Sequence, residues 1–121
     1  MTRSVDSKIK KMAVKAAEIA IDKKANDTII LQLKDLSTIA DYLVICSGDN
    51  PAQVKAIAEA IDDHFSKQKV TRLGREGMGF ARWVLIDYGD FVINIFNEET
   101  RAFYDLEKMW IDAPRISVEK E

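Results

Sequence analysis

The 121-residue sequence has few of the residues that build disulfides and zinc sites. It contains one cysteine, Cys46, and one histidine, His64, so it can form neither an intrachain disulfide nor a zinc site of several such ligands. A single cysteine is typical of a reducing, intracellular compartment. No apolar run approaches the roughly 20 residues that a membrane span needs. These shortages favour a cytoplasmic protein without a His/Cys zinc site or a membrane anchor.

An excess of charge of either sign is also missing. The chain has 18 basic and 20 acidic residues, which gives a formal net charge of −2. Binding to a phosphate backbone uses clustered lysine and arginine, so this balance argues against general nucleic-acid binding. It leaves open a contact with a basic protein, including one within a ribonucleoprotein. The 47% hydrophobic content suffices for one domain, residues 1–121, with a core of its own.

The first 20 residues are basic and amphipathic, as mitochondrial transit peptides are. However, Asp6 and Glu18 are acidic, arginine is scarce, and the segment continues directly into the domain. Apolar residues recur at spacings of three and four, which is typical of one buried helix face. We therefore expect a first structural helix at residues 7–24. At the other end, residues 117–121 are expected to fray.

Hydrophobic periodicity predicts elements in the order α-β-β-α-β-β-β-α. The second strand, Tyr42–Ser47, is almost wholly apolar, which favours a central position buried on both faces. Asn50 is predicted to cap the second helix, with Pro51 and Gln53 at favourable positions of its first turn. This order predicts a single-domain α/β fold with a mixed β-sheet covered by helices. The helices are expected at residues 7–24, 50–69 and 97–113, and the strands at residues 28–33, 42–47, 70–73, 81–87 and 90–96.

The last two predicted strands form a hairpin whose two faces differ in composition. A two-residue loop at Tyr88-Gly89 would pair Trp83 with Asn94 and Leu85 with Val92. Alternation along the strands then gives one core face and one mixed face, and a loop one residue longer would exchange them. The core face carries Val84, Ile86, Phe91, Ile93 and Ile95, with Arg82 at its edge, and the mixed face carries Trp83, Leu85, Asp87, Asp90, Val92 and Asn94.

Two interpretations of the mixed face remain open. An apolar centre with an acidic rim is the composition of a docking surface, for which Trp83 would be the anchor. Alternatively, the final helix folds over this face, so that Trp83 packs against Trp110 or Phe103. In that final helix we expect Phe103, Leu106 and Trp110 to form the buried side.

Catalytic motifs are incomplete in this sequence. Ser47-Gly48, between a strand and a helix, is found at the entry of nucleotidyltransferase-like folds, but such enzymes need paired carboxylates that hold metal ions. No Asp-x-Asp pair occurs, and Asp62 and Asp63 should point apart on a helix. The glycines at 74, 77 and 79 match no phosphate-binding motif and are interpreted as a connector. Cys46 is interpreted as a packing thiol, and His64 as a surface or boundary residue.

The run Ala-Arg-Trp-Val-Leu-Ile-Asp-Tyr-Gly-Asp at residues 81–90 is specific enough that chance is a poor explanation for its likeness to a known family. Further similar stretches occur at residues 22–25, 41–48, 53–58, 76–77 and 101–110. Together they resemble the ribosomal silencing factor family, also called RsfS, Iojap or YbeB. The resemblance covers roughly residues 8–116, nearly the whole chain.

The resemblance implies a nucleotidyltransferase-like α/β fold that lacks the catalytic carboxylates. It implies binding to the large ribosomal subunit through its fourteenth protein, on the surface that faces the small subunit. Occupying that surface would sterically block joining of the two subunits and repress translation. The family is further expected to form homodimers when free, and to need no cofactor, membrane or specific nucleic acid.

The binding surface that the resemblance implies falls on the predicted hairpin. Two positions depart from the family pattern: Asn94, where many relatives carry histidine, and Phe103, where tyrosine is common. The departure at Asn94 leaves the role of that position open. The partner-binding residues implied by the resemblance are Trp83, Leu85, Asp87, Tyr88, Asp90 and Asn94.

Overall fold

The computed structural model describes residues 2–118 of the chain, and the side chains of residues 7–118. The expected fraying of residues 117–121 therefore falls mostly outside the described residues. None of the helices in the described part is long and apolar enough to cross a membrane. The elements are α1 (Thr2–Asp22), β1 (Asn26–Gln32), β2 (Tyr42–Gly48), α2 (Pro51–Lys67), β3 (Gly74–Glu76), β4 (Trp83–Asp87), β5 (Phe91–Asn97), α3 (Glu98–Tyr104), α4 (Leu106–Met109) and β6 (Arg115–Ile116).

The strands form one six-stranded mixed sheet in the order β3-β4-β5-β2-β1-β6. The two central strands, β2 and β5, are parallel, and every other neighbouring pair is antiparallel. Parallel neighbours need a long crossover, and the connection from β2 to β5 contains α2. All seven residues of β2 are buried, which confirms the prediction of a central strand covered on both faces.

One face of the sheet is sealed by α1 and α2. Alanines 13, 16, 17 and 20 of α1 are fully buried, and such small side chains allow the helix to lie close to its neighbours. Asn50 caps α2 by accepting a hydrogen bond from the Gln53 amide at 2.9 Å, as predicted. The side of α2 that faces the sheet is fully apolar and consists of Val54, Ile57, Ala58, Ile61 and Phe65.

The opposite face is covered in part by residues 98–118, which we call the covering segment. Leu106, Trp110 and Ala113 pack there against side chains of β1, β2 and β5. Further along, β6 pairs with β1, and the Gln32 amide donates to the Pro114 carbonyl at 2.8 Å. The covering segment therefore runs from the end of β5 to the far edge of the sheet.

Two of the predicted elements differ in the structure. The strand expected at residues 70–73 is displaced to Gly74–Glu76, because pairing with Leu85–Asp87 of β4 fixes its position. The single final helix is divided, because Asp105 adopts a left-handed conformation with φ of 46° that ends α3. Residues beyond this break no longer share a face with those before it. As a result Phe103, predicted to be buried, is 80% exposed.

Candidate docking surface on the hairpin

The β4–β5 hairpin carries the mixed face that the sequence predicted, although the pairing differs. Leu85 lies opposite Asn94, and Asp87 lies opposite Val92. The register is thus shifted by two residues from the prediction, and a shift of two leaves every side chain on its predicted face. We call the observed surface the hairpin face; its residues are Trp83, Leu85 and Asp87 of β4 and Val92, Asn94 and Phe96 of β5.

The four-residue loop of the hairpin accounts for this shift. Residues 88–91 lie outside the ladder, and the Tyr88 amide donates to the Phe91 carbonyl at 3.1 Å. The rings of Tyr88 and Phe91 stack with centroids 4.9 Å apart, and both are buried in the core under α2. Packing two aromatic rings at the tip replaces the tight two-residue turn that the sequence predicted.

Tyr88 therefore lies outside the hairpin face, contrary to its place in the predicted binding set. Its ring contacts Phe65 of α2 at 5.1 Å, on the opposite side of the sheet. Its hydroxyl donates to Asp62 Oδ1 at 3.1 Å. Burial and the neighbouring Asp62 carboxylate both raise the pKa of Tyr88 above its ordinary value. The structure assigns Tyr88 to the core instead of the surface.

Trp83 is held from both sides in a half-buried position. Its ring stacks on Phe96 with centroids 4.9 Å apart and an interplanar angle of 28°. Tyr104 of α3 contacts the same indole at 4.8 Å. The indole N–H donates to Asn94 Oδ1 at 2.9 Å. The final helical region thus contacts Trp83, as one interpretation expected, but through Tyr104, and it leaves part of the indole exposed.

Asn94 is buried in the hairpin face and supports the Trp83 indole. The residue is 2% exposed, between Leu85 on β4 and Ile45 on β2. Its Oδ1 accepts from Trp83, whereas its Nδ2 has no acceptor among the described residues. An unpaired buried amide donor costs about 1–3 kcal/mol of stability.

Two carboxylates lie at the turn end of the hairpin. Asp87 is half-buried, and its Oδ1 accepts from the Gly89 amide at 2.8 Å. Asp90 is exposed, outside β5, and its backbone carbonyl accepts from the amides of Asp41 and Tyr42. Neither carboxylate forms an ion pair with another described residue. Both are available to cationic groups of a partner.

Aromatic rings whose exposure the sequence did not predict extend this surface beyond Trp83. Phe80 is 82% exposed, Phe103 is 80% exposed, and Tyr104 is 49% exposed. With Trp83 they line a cleft of about 740 Å³ between the loop before β4 and α3. Gly77, at φ of 90°, sets the loop's position, because a Cβ there would lie 1.9 Å from the Trp83 carbonyl oxygen. The break at Asp105 exposes Phe103, and no sequence periodicity signals that break.

The Ser47-Gly48 dipeptide, which resembles the entry of a nucleotidyltransferase site, is buried among other residues of the chain. Ser47 is fully buried, and its Oγ accepts from Arg101 Nη1 at 2.7 Å. Arg101 also donates to the carbonyls of Asn26 and Asp27 and to Glu107. It thereby ties the covering segment to the ends of β1 and β2. No pattern in the sequence indicates this role of Arg101.

The remaining chemically interesting side chains have structural surroundings. Cys46 is fully buried, and burial raises the pKa of its thiol to about 12 although Arg101 acts in the opposite direction. This agrees with the prediction of a packing thiol. Asp62 pairs with Arg72 and Arg75, whereas Asp63 pairs with Lys67 along the same helix. The two aspartates point apart, as predicted. Among the described residues, no group of three or more histidine, cysteine or acidic side chains could hold a metal ion.

The fold and the hairpin face define a single-domain α/β protein that presents an aromatic and acidic surface on a mixed open sheet. Residues 6–121 match the sequence profile of the family described as "RsfS: Ribosomal silencing factor during starvation". The chain therefore belongs to the ribosomal silencing factor family, and the predicted resemblance is confirmed.

Individual relatives agree with this membership. The chain is 43% identical over 108 residues to the ribosomal silencing factor RsfS of Halalkalibacterium halodurans, covering 89% of this chain and 90% of the relative. It is 42% identical over 99 residues to that of Bacillus subtilis, covering 82% and 84%. It is also 30% identical over 106 residues to the chloroplastic protein Iojap of Arabidopsis thaliana, covering 88% and 44%.

Solved structures share the fold. A crystal structure from Bacillus halodurans superimposes with a TM-score of 0.77 at 37% identity, covering 93% of this chain and 99% of the other. An X-ray structure of a protein from Chromobacterium violaceum superimposes with a TM-score of 0.78 at 30% identity, covering 95% and 92%. The predicted α/β class with a mixed sheet is thus confirmed.

Proposed function

We propose that this protein docks through its hairpin face onto the fourteenth protein of the large ribosomal subunit. The docked protein sterically blocks joining of the small subunit and so represses translation. It acts in the cytoplasm by occupying a surface, without catalysis and without a cofactor. Family membership supports the silencing role, and the chemistry of the hairpin face supports the choice of surface.

The observation that carries the proposal is the pairing of Trp83 with Asn94. A half-buried indole fixed by Phe96 and Tyr104 is a preorganised anchor that loses little side-chain entropy on binding. Asn94 Oδ1 accepts from the indole N–H at 2.9 Å and so fixes the orientation of the ring further. A rigid aromatic anchor on a partly exposed strand face is the arrangement that a complementary protein surface would cover.

Charge supports a basic partner. Asp87 and Asp90 lie beside the apolar centre with no ion pair to a described residue. Opposed to arginine or lysine of a ribosomal protein, they would set orientation and encounter rate more than affinity. For a chain of net charge −2, such local complementarity is needed near a ribosome, whose phosphates repel it.

We further propose that the free protein is a homodimer. The exposed rings of Phe80 and Phe103 adjoin Trp83 and give the hairpin face an apolar extension that a second copy could cover. Sedimentation of the wild type and of Phe80→Ala tests this idea. A dimer that becomes a monomer in the variant supports it, and a monomeric wild type at all concentrations contradicts it.

The decisive experiment is co-sedimentation with isolated large subunits. Trp83→Ala should weaken binding by about 2 kcal/mol or more, roughly thirtyfold, while circular dichroism shows a folded domain. Trp110→Ala is the matched control, because it removes the other tryptophan of the chain, which packs on the covered part of the same sheet face. Undiminished binding of Trp83→Ala would refute the docking role.

A subunit-joining assay tests the consequence of docking. The wild type should reduce formation of complete ribosomes from isolated subunits, and Trp83→Ala should lose this inhibition in proportion to its lost binding. Inhibition that persists without binding to the large subunit would contradict a steric mechanism.

A further inference from the structure

A groove rich in lysine lies on the side of the sheet opposite the hairpin face, between α1 and the end of α2. It encloses about 510 Å³. Half-buried or buried apolar side chains of Met12, Phe65 and Val70 contribute to its lining. The polar lining residues are Lys8, Lys11, Lys15, His64, Gln68 and Lys69, and we call this site the lysine groove.

The positive charge of the lysine groove is not compensated within the described part of the protein. None of its lining residues is acidic. Its four lysines are exposed, and none forms an ion pair with a described residue. Along residues 7–17 of α1 there are four lysines and no carboxylate. In a chain of net charge −2, this is a local reversal of sign that the composition does not reveal.

The lysines of α1 are arranged on one side of the helix. Lys8, Lys11 and Lys15 are spaced by three and then four positions, so their charges are neighbours on the helix surface and repel one another. They span about 10 Å along the helix axis. One strand of a double helix carries about three phosphates over that length. A row of phosphates would therefore relieve the repulsion with one anion for each lysine.

We propose that the lysine groove binds the phosphate backbone of ribosomal RNA. The choice of ribosomal RNA rests on the proposed function, since a protein docked on the large subunit lies among RNA phosphates. The groove contains lysines and no arginine, and lysine binds phosphate as a point charge, so the contact needs no fixed geometry. The contact is electrostatic and independent of base sequence, and it adds a second point of attachment to the hairpin face.

The test compares two triple variants of equal charge. The groove variant combines Lys8→Gln, Lys11→Gln and Lys15→Gln. The control variant combines Lys10→Gln, Lys23→Gln and Lys24→Gln, which are exposed lysines outside the groove with no ion pair to a described residue. Binding of the full-length variants to a fluorescently labelled RNA duplex is measured by anisotropy over a range of salt concentrations.

The wild type should bind the duplex with an affinity that falls steeply with salt, by about 0.9 units of log affinity per unit of log salt for each phosphate contacted. The groove variant should lose about two to three units of this slope and roughly tenfold or more in affinity at low salt. The control variant should stay within about twofold of the wild type. Equal weakening of the two variants, or no binding of the wild type at low salt, would overturn the proposal.

A second arm separates RNA from an acidic protein, and the groove from the hairpin face. Tighter binding of polyglutamate than of the RNA duplex would assign the groove to an acidic protein and overturn the RNA proposal. Against the isolated fourteenth ribosomal protein, the groove variant should bind as the wild type does. Trp83→Ala should show the reverse pattern, with RNA binding kept and protein binding lost. If Trp83→Ala keeps its protein binding, the proposed docking fails while the RNA result still stands.

Discussion

The same strands form both faces of the sheet, but the two faces are covered to different extents. On the face under α1 and α2, side chains such as Val84, Ile86 and Ile93 are fully buried. On the other face the covering segment packs mainly near β1 and β2, and Trp83, Leu85 and Asp87 remain partly exposed. The difference shows that burial by helices, and not strand composition alone, decides which face of a hairpin is core and which is surface.

The largest expected effect comes from releasing the covering segment. Arg101→Leu would leave Glu107, Ser47 and two backbone carbonyls without their buried partner. We expect a loss of about 3–5 kcal/mol in the free energy of unfolding, measured with urea. If the variant is as stable as the wild type, the apolar contacts alone hold the covering segment in place. The polar contacts of Arg101 would then contribute nothing to the difference between the two faces.

Adjacent residues of β4 offer a direct test of the contrast. Ile86→Ala, on the sealed face, should cost about 2–5 kcal/mol of stability. Leu85→Ala, on the half-exposed face, should cost about 1 kcal/mol but weaken binding to large subunits. Urea unfolding and co-sedimentation measure the two quantities, at a temperature where both variants are folded. Equal losses of binding would mean that the hairpin face has no special role.

A smaller effect is expected at Asn94. Asn94→Leu removes the acceptor of the Trp83 indole, which loosens the anchor, and should weaken partner binding about tenfold, or about 1.5 kcal/mol. Asn94→His should keep most of the affinity, because one imidazole nitrogen can still accept from Trp83. Binding measured by calorimetry with the isolated ribosomal protein distinguishes them. Equal affinity of the wild type and Asn94→Leu would show that the hydrogen bond to the indole is not needed for binding.

The smallest effect concerns Tyr88 on the sealed side. Its pKa is raised by burial and by Asp62, so the folded protein keeps a proton that the unfolded chain releases above pH 10.0, the ordinary value. Stability is therefore present below that pH and falls as pH rises further. The urea midpoint should fall more steeply with alkaline pH in the wild type than in Tyr88→Phe. If the urea midpoints of the two proteins fall in parallel with pH, the Tyr88 hydroxyl is exposed to solvent in the folded protein.

Much of the architecture could be predicted from local patterns. The apolar run of β2 predicts its burial, and Asn50 with Gln53 predicts the start of α2. Alternation predicts both faces of the hairpin, because that period survives a register error of two residues. Features that depend on distant packing could not be predicted in this way. The ring of Tyr88 reaches the core because Phe65 lies there, and no local signal contains that contact.

The candidate site was predictable to a similar degree. Trp83, Leu85, Asp87 and Asn94 share the face that alternation assigned to them. The exposure of Phe80 and Phe103 was not predicted, because it follows from a loop conformation and from the left-handed turn at Asp105. The lysine groove was missed for another reason: net charge averages over the chain, whereas a groove collects residues from two helices.

The position of Arg101 has a consequence for how the chain folds while it is being made. The guanidinium joins Asn26 across 75 positions of sequence, and β6 pairs with β1 across a still longer interval. Contacts of such long range form late, and synthesis delivers Arg101 and β6 only after most of the domain has emerged. Until then β1 has an open outer edge. A nascent chain of this protein would thus lack its outer edge strand and the Arg101 contacts while it is still attached to a ribosome, the particle that its family silences.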